Sequence, residues 1–224
     1  QLLHIKPTHP EGEYLRFNWN AGIAIDPHDQ QTLYYGSQYL HQSADQGQNW
    51  EIISPDLTTN DTSKQHFLES GGLSYDVTGA EFHTTIVAIA PSPLEKGLIW
   101  VGTDDGNLQL TQDGGANWTL LSPNIKGVPS GTWIPHIKAS SHDPGEVFVV
   151  FEDHRRANWE PYVFRSQDYG QTWERIVGPE DVGSYVYCFE QDPEVSQLYF
   201  CGTDEGLYVS LDHVWDRKFA KEIS

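Results

Sequence analysis

Short runs of apolar residues, four to six long and often alternating with polar ones, recur along the whole chain with turn residues between them. In one stretch the runs are TIVAIA (85–90), LIWVG (98–102), NLQLT (107–111) and NWTLL (117–121). Period-two patterning with β-branched and aromatic residues, broken by Gly, Pro, Asn and Asp, predicts antiparallel strands rather than helices. Three signals recur in a fixed order. The first is a turn with Pro, at DPHD (from 26), PSPLEKG (from 91), HDPG (from 142) and DPEV (from 192). The second is an apolar strand: TLYYGS (32–37), LIWVGT (98–103) and LYFCGT (198–203), with EVFVVF (146–151) in the third block. The third is an octapeptide, SADQGQNW (43–50), TQDGGANW (111–118) and SQDYGQTW (166–173), with a decayed copy SLDHVW from Ser210.

Four strands per unit, with a natural unit of roughly 40–45 residues, describe a β-propeller blade. The octapeptide tryptophans stand at 50, 118 and 173, and the fourth copy has Trp215. Only the last interval is short enough for a bare blade, so the first two hold insertions where specialisation belongs. The reading is an all-β propeller of about four four-stranded antiparallel blades, expected to be part of a larger ring. Residues 1–224 form one segment, with units near 17–58, 82–123, 132–178 and 184–224. The polar link 54–85, carrying SPDLTTNDTSKQ, is expected to be a mobile flap.

Within the octapeptide, Asp45, Asp113 and Asp168 with Ser43, Thr111 and Ser166 are expected to accept the backbone N–H groups of a tight turn. Gly47, Gly115 and Gly170 supply backbone that a side chain disfavours, and Trp50, Trp118 and Trp173 pack each hairpin onto its blade. A residue with the same task in every blade is a structural residue. Asp212, in the fourth copy, has lost its Gly, so that turn differs.

This octapeptide resembles the Asp-box (BNR-like) repeat of sialidases, sortilin-type receptors and xyloglucanase-type glycosidases. The closer resemblance is to bacterial extracytoplasmic sortilin-like or glycosyl-hydrolase-like repeat proteins. It is carried by RFNWN (16–20), SPDLT (54–58), SGG (70–72), SPLEKGLIWVGTDDG (92–106), PYVF (161–164) and GTDEGLYVS (202–210). The resemblance implies a propeller with more blades than four, and a periplasmic or secreted location. Residue 1 is Gln and Met is absent, so the chain reads as a processed or truncated piece that could have lost a targeting segment.

In a propeller, the loops joining second to third strands share a face with the links between blades, and the octapeptide turns lie on the opposite face. That topology sorts the candidate ligand residues. Glu81, Phe82, His83, Asp104 and Asp105 come from the second unit. Trp133, His136, Asp153, His154, Arg155 and Trp159 come from the third, and Asp204 and Glu205 from the fourth. Aromatic rings beside carboxylates suit a glycan or a polypeptide. Local salt bridges to Glu152 or Asp153 are the bland reading of Arg155 and Arg156, a strand-joining turn that of Asp104 and Asp105, and packing that of His83 and His136. A glycosidase needs two carboxylates flanking the bond, and Asp104 or Asp105 with Glu81, Asp153 or Asp204 are the candidates. Sialidase chemistry needs an arginine cluster. Among six arginines, Arg165 and Arg175 flank an octapeptide away from the axis. There is no HExxH, GxSxG or P-loop.

Charge narrows the partners. With 32 acidic and 13 basic residues the formal net charge is −19, a field that repels nucleic acid and anionic membranes. No run reaches the roughly 18 apolar residues of a membrane span. The leading expectation is a non-catalytic binding module, with a glycoside hydrolase and an assembly scaffold, docked to further blades or partner chains, as alternatives. No cofactor or catalytic metal is expected; a structural calcium would suit the carboxylates, although no calcium-loop motif is present. Cys188 and Cys201 lie in two apolar runs that would form a hairpin with both thiols on one face, with buried free thiols as the default and a disulfide as the alternative.

Overall fold

The computed structural model describes residues 5–65, 82–211 and 215–216. They form four four-stranded antiparallel sheets, each with its strands in chain order. Blade I holds β1 (Ile23–Asp26), β2 (Asp29–Gly36), β3 (Leu40–Ser43) and β4 (Glu51–Ile52). Blade II holds β5 (Ile86–Pro91), β6 (Ile99–Thr103), β7 (Leu108–Thr111) and β8 (Thr119–Leu120). Blade III holds β9 (Trp133–Ala139), β10 (Val147–Glu152), β11 (Tyr162–Ser166) and β12 (Glu174–Val177). Blade IV holds β13 (Val186–Gln191), β14 (Tyr199–Thr203), β15 (Gly206–Ser210) and β16 (Trp215–Asp216). The first strands β1, β5, β9 and β13 pack on one another in sequence and form the hub side.

A blade sandwiched between two others is buried on both faces, so its strands read as unbroken apolar runs. Strand β10 shows how alternation divides them. Val147, Val149 and Phe151 join the core shared with blade II, while Phe148 and Val150 join the core shared with blade IV. Burying each such side chain stabilises the fold by about 1.5–3 kcal/mol. The glycine closing the second strand has a packing cause. A Cβ on Gly36 would sit 2.7 Å from Ile86, and one on Gly102 would sit 2.5 Å from Ile134, so each bare glycine admits the inner strand of the next blade.

At the outer edge the octapeptide turns repeat one set of bonds. Ser43 Oγ accepts the Gly47 N–H at 2.8 Å and donates to Asp45 Oδ1, which also accepts the Asn49 N–H at 2.8 Å. Thr111 with Asp113, and Ser166 with Asp168, do the same for Gly115 and Asn117, and for Gly170 and Thr172. The tryptophans close their own turns, Trp118 donating to Gly115 O at 3.1 Å and Trp173 to Gly170 O at 3.0 Å, and they also reach the neighbouring blade. Trp118 joins the core between blades I and II and donates to Ile53 O at 3.2 Å, and Trp215 donates to Ile176 O of blade III at 3.3 Å. They are wedges between blades, because the outermost strand is short and leaves the preceding sheet uncovered there. Asp212 lies outside the described residues.

The cysteines also differ from expectation. Cys188 stands opposite Gly202 and Phe189 opposite Cys201, so the thiols project from opposite faces of the sheet, and both are free. Cys201 is buried, which pushes its thiol well above the usual range, whereas Cys188 is exposed. The arc is open among the described residues: blade interfaces run I–II, II–III and III–IV, and no such interface joins I to IV. The free flank of blade I exposes Ile23 (54%) and Ile25 (59%).

Candidate ligand-binding face

The turns joining second to third strands meet the inter-blade links on one face, as their bonds show. In blade I, Arg16 N–H donates to Gln38 Oε1 at 2.8 Å. In blade II, Asp104 and Asp105 form the β6–β7 turn, and both are buried, at 0% and 3% exposure. Asp104 accepts the Thr85 N–H at 2.8 Å, the Thr85 hydroxyl at 2.9 Å and the Asn18 amide at 3.2 Å, with His83 Nδ1 3.2 Å away. Asp105 accepts the Thr59 N–H and hydroxyl, each at 2.7 Å, and the Thr103 hydroxyl at 2.5 Å. These carboxylates fasten the links to the blade, and their oxygens are engaged in those bonds.

The same bonds change the picture of the expected flap. Its segment 54–65 is anchored: Asp56 pairs with Arg16 at 2.7 Å, and Leu57 is buried with its carbonyl accepting from Asn107 and Gln109. Leu57 is the reason, since burying its side chain pulls the polar link down onto blades I and II. The remainder, 66–81, and with it Glu81, lies outside the described residues. Phe82 is buried, with its N–H on Phe17 O and its ring edge-on to Tyr14. Asn107 and Gly106 also border a cleft of about 330 Å³ between blades II and III, walled by the 122–132 link and Phe151.

Blades III and IV supply a different surface. The insertion after β10 turns at 154–156, and its charges are compensated internally. Glu152, 2% exposed, accepts from Arg155 Nη1 at 2.5 Å and from the His154 N–H, with His154 Nδ1 against it. Asp153 accepts from Arg156 at 2.5 Å and from Asn158. With its charge held this way, Arg155 lies over Trp133, its guanidinium carbon 3.8 Å from the ring centre, and Trp133 stacks in turn near His83 at 6.4 Å.

Beyond Glu152 an aromatic cluster begins. His154 stacks on Trp159 (6.2 Å) and lies tilted against Tyr185 (4.8 Å), and Tyr185 meets Tyr187 at 4.8 Å. The two tyrosine hydroxyls share a 2.6 Å hydrogen bond, which with burial pushes Tyr185 up to about 12. Trp159 is 54% exposed and Tyr187 45%, while Tyr185 beneath them is buried. The structure therefore brings Trp133, His154, Arg155 and Trp159 into one ridge with His83 at its end. His136 lies below it on β9, its Nδ1 facing the Phe189 N–H and its Nε2 3.6 Å from Glu190. Burial holds this imidazole below its ordinary value. Asp204 and Glu205 are exposed in the β14–β15 turn.

Sequence reasoning missed Tyr185 and Tyr187. Their signal was present: an aromatic at the hub end of an inner strand, the place that Trp133 occupies at the start of β9. Arg165 and Arg175 are committed elsewhere, to Glu146 and to Glu160. Among the described residues no three His, Cys, Asp or Glu side chains converge to hold a metal ion. No described helix is long and apolar enough to cross a membrane.

No protein-family model matches the sequence, and no curated protein matches it. Among solved structures the chain is similar to an ancestral GH74 enzyme, with a TM-score of 0.63 at 18% identity, over 91% of this chain and 25% of that one. It is also similar to the GH74 enzyme of Niastella koreensis, with a TM-score of 0.58 at 16% identity, over 89% of this chain and 30% of that one. A third likeness, to YCF48 bound to D1 peptide, has a TM-score of 0.48 at 14% identity, over 87% of this chain and 51% of that one. The chain thus spans a quarter to a third of the GH74 enzymes' length, and at these identities the first two likenesses establish the fold: it is a β-propeller.

Proposed function

We propose that this propeller is a non-catalytic recognition module, extracytoplasmic in location, that binds a glycan or a polypeptide on the hub side of blades III and IV. One observation carries the reading: Trp159 and Tyr187 present exposed rings packed against His154 and the buried Tyr185. Rigid aromatic anchors surrounded by saturated polar groups are the usual energetic centre of a binding surface. The glycosidase alternative draws less support. Its carboxylates would have to face each other across an open site roughly 5–9.5 Å apart, and Asp104 and Asp105 are buried in bonds to Thr85, Asn18, Thr59 and Thr103.

Calorimetric titration with a panel of oligosaccharides and peptides tests the proposal. W159A and Y187A should each weaken binding at least tenfold, about 1.4 kcal/mol or more, while Q48A on the octapeptide face leaves it unchanged. A ligand whose affinity ignores both aromatic substitutions would refute it, as would turnover of a glycan by the wild-type protein.

A further inference from the structure

We infer that the group anchored at Trp159 and Tyr187 is a cation, and that the ligand is a polypeptide presenting a lysine or arginine side chain there; this rests on the reading of that patch as the ligand face. The charges around the patch are the first argument. Its basic groups are consumed: Arg155 by Glu152, Arg156 by Asp153, and Arg175, from the outer strand, by Glu160 at 2.8 Å. Asp204 is exposed in the neighbouring turn, with no hydrogen-bond or ion-pair partner among the described residues. Val186 pairs with Thr203 across β13 and β14, so Asp204, the next residue, stands beside Tyr185 at the same end of the hairpin. Glu205, exposed in the same turn, accepts the Tyr208 hydroxyl at 3.4 Å and leaves Asp204 as the carboxylate that sets the field. The patch therefore keeps an uncompensated negative field on a chain of net charge −19.

The second argument comes from what each ligand class needs. A neutral sugar stacked on an aromatic ring requires directed acceptors for its hydroxyls. Of the acids in the same loop, Glu152 and Asp153 point inward and are saturated by Arg155, the His154 N–H, Arg156 and Asn158, and Glu160, next to Trp159, is held by Arg175 and the Tyr162 hydroxyl. A cation needs no directed bond. It is attracted by the π-face of an exposed Trp or Tyr and by the surrounding field. Exposed faces of Trp159 and Tyr187 beside Asp204 meet that requirement.

The test uses short N-acetylated, C-amidated Gly-Lys-Gly-Lys peptides in three forms: unmodified, Nε-trimethylated and Nε-acetylated. A neutral cello-oligosaccharide is titrated beside them at low and at physiological salt. The unmodified peptide should bind, the trimethylated form at least as well, and the acetylated form at least tenfold more weakly. D204N should weaken the unmodified peptide three- to tenfold and flatten its salt dependence; W159A and Y187A should weaken it at least tenfold. Equal binding of the acetylated peptide, indifference to D204N, or no binding of the lysine peptide at millimolar concentration overturns the inference. Oligosaccharide binding that is lost in W159A would overturn the cation while sustaining the recognition face. Probes that bind independently of both Trp159 and Tyr187 would overturn the two readings together.

Discussion

Replacing Asp104 separates a structural carboxylate from a functional one. Its side chain is inaccessible to solvent and takes bonds from Thr85 N–H, Thr85 Oγ1 and Asn18 Nδ2, with His83 at its rim. In D104A the side chains of Asn18 and His83 can turn elsewhere, but the Thr85 N–H is fixed by the backbone and Thr85 is itself fully buried. An orphaned buried donor costs about 1–3 kcal/mol, and each lost bond to a charged acceptor about as much again before relaxation. The expected total is about 3–5 kcal/mol, in line with removing one member of a buried charged network. For a chain of this length each kcal/mol moves Tm by about 2–4 °C, so D104A should melt roughly 10 °C below wild type by scanning calorimetry at pH 7. D104N keeps one carbonyl acceptor for the Thr85 N–H and should lose about half as much. H83A, at the accessible rim, should shift Tm by less than about 2 °C. A D104A protein melting within 2 °C of wild type would refute the assignment and return Asp104 to the list of ligand-facing acids.

Further outcomes follow from the turns and the buried histidine. Gly170 has φ +81° and a Cβ there would fall 2.4 Å from Leu121, whereas Gly114 has φ +71° and open space; G170A should cost about 2–4 kcal/mol by urea denaturation and G114A about 1. Asn49, Asn117 and Thr172 bonds hold Asp45, Asp113 and Asp168 below the usual carboxylate range, Asp45 at about 2. As pH falls the unfolded chain takes up protons first, near pH 4, so their stabilisation is present above that value and disappears toward pH 2. A triple D45N/D113N/D168N variant should show a flatter Tm profile between pH 4 and 2. His41 is driven down to about 4 by burial against an unfolded value near 6.5; about 3 kcal/mol is therefore lost as pH drops from 6.5 to 4, and the imidazole should titrate near 4 by NMR. D105A should release the 54–65 link, read as new protease cleavage there without loss of the blades.

The blades were legible because every local signal agreed. Strand periodicity, Pro turns and the octapeptide each require only near neighbours in sequence, so Ser43, Asp45 and Gly47 could be assigned their bonds from spacing. The glycine at the end of the second strand was visible as a repeat, yet its cause is Ile86 or Ile134 pressing from the next blade. The octapeptide tryptophans were placed on their own hairpins because the sequence does not say which sheet lies behind them. Cys188 and Cys201 were put on one face because their register is set by the turn after Gln191, which pairs Gln191 with Tyr199 and so Cys188 with Gly202, and local periodicity does not encode that pairing.

The face carrying the candidate site was likewise predictable from topology, but the roles within it were not. Asp104, Asp105 and Trp159 look alike in sequence as polar or aromatic residues of connecting loops. Burial decides between them, and burial is a property of what packs above: Thr59, Leu57 and Thr85 cover the two acids, whereas Trp159 and Tyr187 remain open. Local backbone preference and side-chain alternation thus determined the repeating sheet. Solvent exclusion by distant segments decided which carboxylates became fasteners and which rings stayed available to a ligand.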